Sequence, residues 1–414
     1  MQQSSIRGFF KPKTSQTNQS QENNERRDQR PGQPYRSRSG DPRPSHRGQH
    51  RGGNRPRNIE LKKVAEETKA VLPAVLQSLP GFGADSSSIH NLYGLAPLDV
   101  NDCPRHVLPN SDKDAGKVGT RIRVVDRDSF DAAIELQPNY KAHLHLSNSS
   151  PAAISVTTNS NPQFSSAADD GEMDLDGLHL NQPQAPPIQA WDLSNKTPKR
   201  ISQQKHPTIS RQAPQPVAVL NLASERHAGG GWQNGAMAQE EALCYRSSLY
   251  LSLHKSYYPL PSLSVIYTPN VLIIRSATST GHALYTRPAS DLPVTSTISI
   301  AALRHPALTD DGKKFRNEGQ RAETKKKIRV SLRTAASKGH TRLVLGALGC
   351  GVFSNPPTEV AECFLEVFRE TEFQGGWWED VVFAVMDNAR GDQAGKDGSG
   401  NFGQFHRVLN DQVV

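Results

Sequence analysis

Two neighbouring carboxylates and a run of glycines are the residues of this sequence best equipped for chemistry. They are Gly229, Gly230 and Gly231, followed at the start of a predicted helix by Gln239, Glu240 and Glu241. Consecutive glycines let a ligand approach the backbone and leave N–H groups that can bind a diphosphate. A carboxylic acid beside such a cradle can protonate a departing oxygen and then activate water. In isolation, three glycines more often form a flexible turn, and acidic residues also favour a helix N-terminus.

A second glycine-rich stretch follows an apolar run that ends at Leu348. Its residues are Gly349, Cys350, Gly351, Val352 and Phe353. The glycines again expose backbone donors, and the Phe353 ring offers an apolar face. Ligands of open α/β sheets bind beyond the carboxyl ends of the strands, so we expect the two stretches to meet in one diphosphate-binding site.

The elements that must position these residues alternate along the chain. Apolar runs predict strands at 217–222, 271–275, 342–348 and 381–386, and helical spacing predicts helices at 238–254, 320–337 and 358–370. Before them, the pattern predicts a helix at 59–75, a strand at 120–125 and a helix at 129–136. Such alternation is typical of an α/β fold, in which helices cover both faces of a mostly parallel, mixed sheet.

Composition divides the 414-residue chain into one folded domain and two unfolded segments. Only 35% of its residues are hydrophobic, and the chain contains 29 Pro and 31 Gly. Residues 11–57 and about 147–211 have little apolar surface to offset the entropy of ordering. We therefore expect a disordered tail at 1–57 and a domain at 58–414 that is interrupted by a disordered insert at about 147–211.

The positive charge of the chain belongs to this tail. Residues 1–57 contain 13 Lys/Arg and 4 Asp/Glu, a net charge of +9, whereas the whole chain carries +8. A cationic tail attracts polyanions without reading their sequence, so non-specific binding of nucleic acid is expected. A solubilising role explains the charge equally well.

Several other classes of protein do not fit the sequence. The four cysteines lie far apart without a CxxC pair, so neither a zinc site nor a disulfide framework is expected. We expect no metal and no cofactor. The longest apolar runs are too short to cross a membrane. The sequence thus predicts a soluble intracellular protein without a membrane partner.

The order and spacing of the motifs resemble the microbial-type poly(ADP-ribose) glycohydrolases, which have a macrodomain fold. The likeness begins at Asn221, passes through the glycine run and the Gln-Glu-Glu triplet, and ends with the Gly-Cys-Gly-Val-Phe stretch. It spans about residues 58–409, except for the insert. Trp232 and Gln233 depart from the family pattern, in which an aliphatic or phenyl side chain is commoner. The resemblance implies a macrodomain-like fold and hydrolysis of ribose–ribose bonds with release of ADP-ribose.

The resemblance also implies a role for each motif. Both glycine stretches would hold the diphosphate, Glu240 would position a ribose, and Glu241 would be the catalytic acid/base. Adjacent helical residues project about 100° apart, so the two carboxylates cannot face one bond as an opposed pair and must divide the work. Burial would favour the protonated form of Glu241. The candidate substrate-binding residues are Asn221, Gly229, Gly230, Gly231, Gln239, Gly349, Cys350, Gly351, Val352 and Phe353.

Three other functions agree with parts of the sequence. The same pocket could remove single ADP-ribose units from protein or nucleic-acid ends, or it could belong to a reader that binds ADP-ribose without cleaving it. The intact triplet with Glu241 argues against a reader, which needs no catalytic carboxylate. A general nucleic-acid-binding protein rests on the tail alone, without a nucleic-acid-binding motif.

The first ten residues carry a second resemblance. Gln3, Ile6, Phe9 and Phe10 are spaced as in the PCNA-interacting (PIP) motif of replication and repair proteins. In a 3₁₀ turn, residues three apart eclipse one another, so Ile6 and Phe9 would project together beside Phe10. The resemblance implies docking on the sliding clamp PCNA and a nuclear location close to DNA repair, with the cytoplasm as a second compartment.

Overall fold

The computed structural model describes residues 58–149 and 214–414. The predicted tail, its clamp motif and nearly all of the predicted insert lie outside these residues, so what the sequence predicts of them stays a prediction. The helices are α1 (Ile59–Gln77), α2 (Ser129–Leu136), α3 (Ala142–Ser149), α4 (Gln239–Arg246), α5 (Leu249–Ser252), α6 (Glu318–Ser337), α7 (Pro357–Phe368) and α8 (Asn401–Leu409). The strands are β1 (Ser88–Asn91), β2 (Ile122–Val125), β3 (Ala218–Ala223), β4 (Ser264–Leu272), β5 (Val294–Ala301), β6 (Arg342–Leu345) and β7 (Asp380–Ala384).

The strands of the described residues form one mixed sheet in the order β1-β4-β5-β3-β6-β7-β2. The strands from β5 to β2 are parallel, whereas β4 is antiparallel to β5 and β1 is antiparallel to β4. Side chains alternate between the faces: Leu220 belongs to the core that contains residues of α6, α7 and α8, and Val219 to the core beneath α1, α2 and α4. The predicted α/β class with helices on both faces is confirmed.

Side-chain caps fix where the first two helices begin. The Asn58 side chain accepts a hydrogen bond from the N–H of Leu61 at 3.1 Å, so α1 begins immediately after Asn58. Asp128 accepts from the N–H groups of Phe130 (2.8 Å) and Asp131 (3.3 Å) and so begins α2. Because α2 follows the carboxyl end of β2, its capping carboxylate lies on the side of the sheet where ligands are expected.

The single helix predicted at 238–254 is wrong, because the chain forms α4 and α5 instead. Between them, Ser247 is extended and forms a β-bridge with Ile273. The N–H of Ser248 donates to the carbonyl of Leu272 at 3.0 Å. Hydrogen bonds to β4 and the residue after it therefore replace the hydrogen bonds of a continuous helix at this point. The helical spacing of the sequence does not reveal this break, because its cause lies in a segment about 25 residues further along the chain.

The strand predicted at 271–275 is displaced, since β4 ends at Leu272 and begins seven residues before Val271. The buried run continues through Ile274 beyond the end of β4, where an isolated bridge from Ile273 to Ser247 replaces the pairing with β5. The sequence did not predict β5 at all, although every one of its residues is buried. Its hydroxyl side chains hide it in the sequence, and one of them, Ser296 Oγ, donates to the carbonyl of Pro269 on β4 at 2.8 Å.

Three shorter elements, β1, α3 and α8, were not predicted either. α3 includes residues 147–149, which the composition assigns to the insert. α8 is amphipathic and buries Phe405 and Leu409 against the core, but it follows a Gly- and Asp-rich segment that resembles a loop. None of the helices within the described ranges is both long and apolar enough to span a membrane.

Candidate active site

A cavity of about 740 Å³ opens beyond the carboxyl ends of the parallel strands. Its wall contains residues of both glycine stretches and the start of α4, among them Gly230, Gly231, Glu240, Glu241, Gly351 and Phe353. The structure therefore brings the two predicted stretches and the two carboxylates to one site, as the sheet topology requires. The volume is that of a cavity for a small organic ligand.

Glu240 lies at the base of this site with only 2% of its surface exposed. Its Oε2 accepts from the N–H of Ser224 at 2.7 Å, and its Oε1 lies 3.5 Å from Nδ2 of Asn221. Burial raises the pKa of Glu240 to about 8, although the bond from Ser224 opposes the shift. Burial therefore favours the neutral form of this carboxyl, which can donate a hydrogen bond.

Glu241 is 8% exposed, and each of its oxygens holds one backbone N–H group. Oε1 accepts from Gly231 at 2.8 Å, and Oε2 accepts from Ala238 at 3.1 Å. Since Ala238 immediately precedes α4, this carboxyl also caps its own helix. These two hydrogen bonds from backbone N–H groups hold the Glu241 carboxyl in place at the cavity wall.

The amides of the glycine triplet are engaged inside the protein, which corrects the expectation that they remain free. The Gly231 N–H donates to Glu241, the Gly230 N–H donates to the carbonyl of His227 (3.0 Å), and the backbone of Gly229 forms a hydrogen bond with Glu240. The triplet is required for a steric reason instead. A Cβ on Gly230 would lie 2.4 Å from Oε1 of Glu241 and 3.0 Å from Oε2 of Glu240.

The second glycine stretch carries the free donors. The N–H groups of Gly351, Val352 and Phe353 donate to no other described residue, and a Cβ on Gly351 would meet only open space. Successive unpaired amides of this kind make an anion-binding concavity. Gly349 has a different function: with φ +74° it makes the turn, and a Cβ there would lie 2.4 Å from Nδ2 of Asn355.

The side chains of Gln239 and Asn221 mainly form hydrogen bonds with other residues of the protein and contribute little to the cavity wall. The Gln239 side chain accepts from the N–H of Leu222 and donates to the carbonyl of Leu220, both at 2.8 Å, so it fastens the start of α4 to β3. It does reach the cavity wall. Asn221 is fully buried behind Glu240, where it donates to Oγ of Ser299 at 3.0 Å. Asn221, Gly229 and Cys350 are not part of the cavity wall.

Sequence reasoning missed an ion-pair network beside the cavity. Arg246 at the end of α4 is fully buried and pairs with Asp128 and with Asp131, the latter at 2.6 Å. Asp128 and Ser129 line the cavity, and Ser129 Oγ accepts from Nε2 of Gln239 at 3.1 Å. The network ties α2 to α4 and so to both glutamates. Only Asp128 had a sequence signal, as an acidic residue directly before a predicted helix.

Three further wall residues, Tyr245, Thr278 and His282, also went unpredicted. Tyr245 lies one helical turn after Glu241 on α4, and its ring packs against that of His282 with 5.6 Å between centroids. Thr278 and His282 belong to the segment between β4 and β5. Nothing in the sequence around 278–282 distinguishes these residues from an ordinary loop.

A metal centre has no counterpart among the residues that the structure describes. There, no group of three or more His, Cys, Asp or Glu side chains is placed to hold a metal ion. The four cysteines are buried free thiols.

The segment that carries the two glutamates matches a known family. Residues 193–276 match the model of the family described as microbial-type PARG, catalytic domain. This segment includes the glycine triplet, Glu240 and Glu241. The resemblance seen in the sequence is confirmed to that extent. No curated protein matches the chain.

Two solved structures with a TM-score of 0.50 show the same fold over most of the chain. Poly(ADP-ribose) glycohydrolase from Thermomonospora curvata aligns with a TM-score of 0.50 and 22% identity, over 84% of this chain and 98% of that chain. The same enzyme bound to the inhibitor ADP-HPD aligns with a TM-score of 0.50 and 23% identity over the same shares. The Deinococcus radiodurans enzyme in complex with ADP-ribose gives a TM-score of 0.47 and 23% identity, over 80% and 98% of the two chains.

Proposed function

We propose that this chain is a poly(ADP-ribose) glycohydrolase that cleaves ribose–ribose O-glycosidic bonds and releases ADP-ribose. One observation carries the proposal: a cavity of suitable size joins two buried glutamates to a row of free backbone amides. The match of residues 193–276 to the PARG catalytic-domain model supports it. So does the fold shared with the Thermomonospora curvata enzyme, whose complex holds ADP-HPD.

In this proposal Glu241 is the acid and then the base. Its proton passes to the departing ribose oxygen as the bond from that oxygen to the anomeric carbon breaks. Water then gives a proton to the ionised Glu241 carboxylate, and its oxygen bonds to the anomeric carbon. The bonds from Gly231 and Ala238 hold the carboxyl in one place through both steps.

Glu240 positions the sugar. Because its pKa is raised to about 8, the carboxyl is neutral at physiological pH and can donate to one ribose hydroxyl. Neutrality also removes the repulsion that an ionised Glu240 would exert on a nearby diphosphate. The free amides of Gly351, Val352 and Phe353 would hold that diphosphate and set the distance to Glu241.

Substitution of the acid/base tests this mechanism. We expect Glu241→Gln to lower release of ADP-ribose from purified polymer by about 10²- to 10⁴-fold, while affinity for ADP-ribose changes little. Glu225→Gln is the matched control, since Glu225 pairs with Arg226 outside the cavity wall. Turnover of the Glu241 variant at the rate of the control would remove Glu241 from the mechanism.

The preference for polymer is part of the proposal, and hydrolysis of single ADP-ribose units is the alternative. Both substrates present the same terminal ADP-ribose, so the residues that would bind this unit do not show which substrate the chain prefers. Incubation of the chain with polymer and with mono-ADP-ribosylated protein distinguishes the two. Release from mono-modified protein alone would favour the alternative, and binding of ADP-ribose without release from either would favour a reader.

We also propose that the N-terminal motif docks the enzyme on PCNA in the nucleus. Gln3, Ile6, Phe9 and Phe10 lie outside the described residues, so the support is their spacing and the presence of large aromatic side chains in a polar segment. A calorimetric titration of a peptide covering residues 1–13 with the clamp tests the docking. The absence of heat at micromolar concentrations, with no change on Phe9→Ala, would count against it.

A further inference from the structure

The cavity wall includes Leu61, Tyr245, Thr278 and His282, and we call this part of the wall the extension. Tyr245 follows Glu241 by four residues and so lies on the same face of α4, one turn further along. The wall of the extension comes from α1, α4 and the β4–β5 segment, whereas the glycine stretches follow β3 and β6. The extension therefore belongs to elements other than the strands that precede the glycine stretches, and α4, which carries both Glu241 and Tyr245, connects the two parts of the wall.

The backbone holds His282 in this wall in an unusual conformation. Its φ is +53°, in the left-handed region that histidine rarely adopts. Two hydrogen bonds of the His282 backbone hold this conformation. Its N–H donates to the carbonyl of Ala277 at 3.1 Å, and its carbonyl accepts from Nη1 of Arg275 at 2.8 Å. Arg275 is itself anchored on α1 through Glu67 and Thr68. Such strain persists where the surrounding structure enforces it, and it clusters at functional sites.

The imidazole of His282 is buried without a polar partner. Only 5% of the residue is exposed, and neither Nδ1 nor Nε2 has a hydrogen-bond partner within the described residues. A buried polar group without a hydrogen-bond partner destabilises the fold. A phenyl ring would pack against Tyr245 without that cost, so packing alone does not account for a histidine here.

The charges around His282 define what it can bind. Burial lowers the pKa of the imidazole, and the guanidinium groups of Arg246 and Arg275 lower it further. A neutral imidazole offers one N–H donor and one acceptor nitrogen. A sugar hydroxyl, which both donates and accepts, matches this pair, whereas a phosphate offers acceptors only.

We propose that His282 binds a ribose hydroxyl of the unit on the leaving side of the scissile bond, so that the extension recognises the next unit of a polymer. This inference rests on the proposed function, because it needs Glu241 to mark the bond that is cleaved. The terminal ADP-ribose occupies the glycine-lined part, and the neighbouring ribose enters the extension. Rotation about the Cβ–Cγ bond of His282, which is a soft torsion, turns a ring nitrogen towards that sugar. His282 is thus a specificity residue for polymer over single ADP-ribose units.

Three variants test the inference. His282→Phe keeps the ring packing and removes both polar groups, and His282→Gln restores a donor and an acceptor. His90→Phe is the matched control, because the His90 ring also packs on a tyrosine, Tyr267, with 6.4 Å between centroids, but lies outside the cavity wall. The KM for poly(ADP-ribose), the rate on mono-ADP-ribosylated protein and the affinity for free ADP-ribose are measured for each.

We expect His282→Phe to raise the KM for polymer by about tenfold or more, the loss of one good hydrogen bond. Free ADP-ribose lacks the leaving unit, so its affinity and any activity on mono-modified protein stay within about twofold, and His282→Gln recovers most of the polymer KM. His282→Leu replaces His282→Phe if thermal unfolding shows that the phenyl variant does not fold.

Two results would overturn the inference. One is an unchanged polymer KM in His282→Phe, and the other is an equal loss of affinity for free ADP-ribose. Failure of the proposed function has a different signature, since the wild-type chain would then release no ADP-ribose from polymer. Normal wild-type turnover with no effect of His282→Phe rejects only the role given to His282.

Discussion

At the residue scale, the buried carboxyl group of Glu240 should make the stability of the fold depend on pH. Glu240 has a pKa near 8 in the folded chain, above its ordinary value of 4.5. A raised acid pKa stabilises the fold fully below pH 4.5, and that contribution is lost as the pH rises through 8. Glu240→Gln does not titrate. We therefore expect the free energy of unfolding of this variant, relative to that of the wild type, to increase by roughly 3 to 5 kcal/mol as the pH rises from 5 to 8.5.

Denaturant unfolding of both proteins across this pH range is the measurement. The comparison cancels the titration of all other groups, because these are common to the two chains. Parallel stability curves would mean that Glu240 is ionised in the fold at neutral pH, and the positioning role proposed for a neutral carboxyl would then be wrong.

The glycine triplet provides a steric prediction. Gly230→Ala places a methyl group against both carboxylates and forces alanine to a φ of +60°. We expect a loss of about 1 to 3 kcal/mol in the free energy of unfolding, together with a large fall in ADP-ribose release. Gly94→Ala is the control, since a Cβ there meets nothing within 4 Å. Equal thermal stability of the two variants would contradict the steric account.

The sequence predicted that these motifs meet at one site but not how their polar groups are used. Glu240, Glu241 and the two glycine stretches form short, contiguous motifs in the chain, so their spacing could be recognised directly. Whether an amide of the triplet is free depends on where the Glu241 carboxylate turns, and that is a property of the folded loop. His282 could not have been found, because its neighbours Tyr245 and Arg275 are brought to it only by the fold.

At the scale of elements, the pairing of α2 with α4 depends on Arg246. Arg246→Met leaves the carboxylates of Asp128 and Asp131 without their buried partner, and we expect a loss of about 3 to 5 kcal/mol in the free energy of unfolding. Arg316→Met, which breaks an exposed pair with Asp310, should change it by less than about 1 kcal/mol. Chemical denaturation measures both. Similar small effects would show that the network contributes no more than surface pairs do.

Elements were predictable where one pattern governs the whole segment. α1, α2, α6 and α7 have an apolar face at helical spacing, and β3, β6 and β7 are short apolar runs between turns. β5 escaped because Thr295, Thr297 and Ser299 are polar in a strand that is buried on both faces. The break between α4 and α5 was not predicted because it depends on hydrogen bonding to β4, which is distant in the chain.

At the scale of the whole molecule, the tail and the domain differ in charge. Replacing Arg47, Arg51, Arg55 and Arg57 with Gln removes four of the charges that give the chain its net +8. We expect weaker binding of poly(ADP-ribose) at low salt, and a salt dependence that is shallower by roughly 0.7 for each phosphate that the tail no longer neutralises. Equilibrium binding between low and high salt measures this. Identical slopes for the two chains would assign the tail a merely solubilising role.

The described chain stops at α3 and resumes at Pro214, and these two points touch. Nδ2 of Asn148 donates to the carbonyl of Pro214 at 3.4 Å, and β3 begins only four residues later. The entropic penalty of closing a loop grows only with the logarithm of its length, so the sheet is nearly indifferent to how many residues lie between such ends. We therefore expect that a fluorescent reporter inserted next to this junction leaves β3, and with it the glycine triplet beside Glu241, in place.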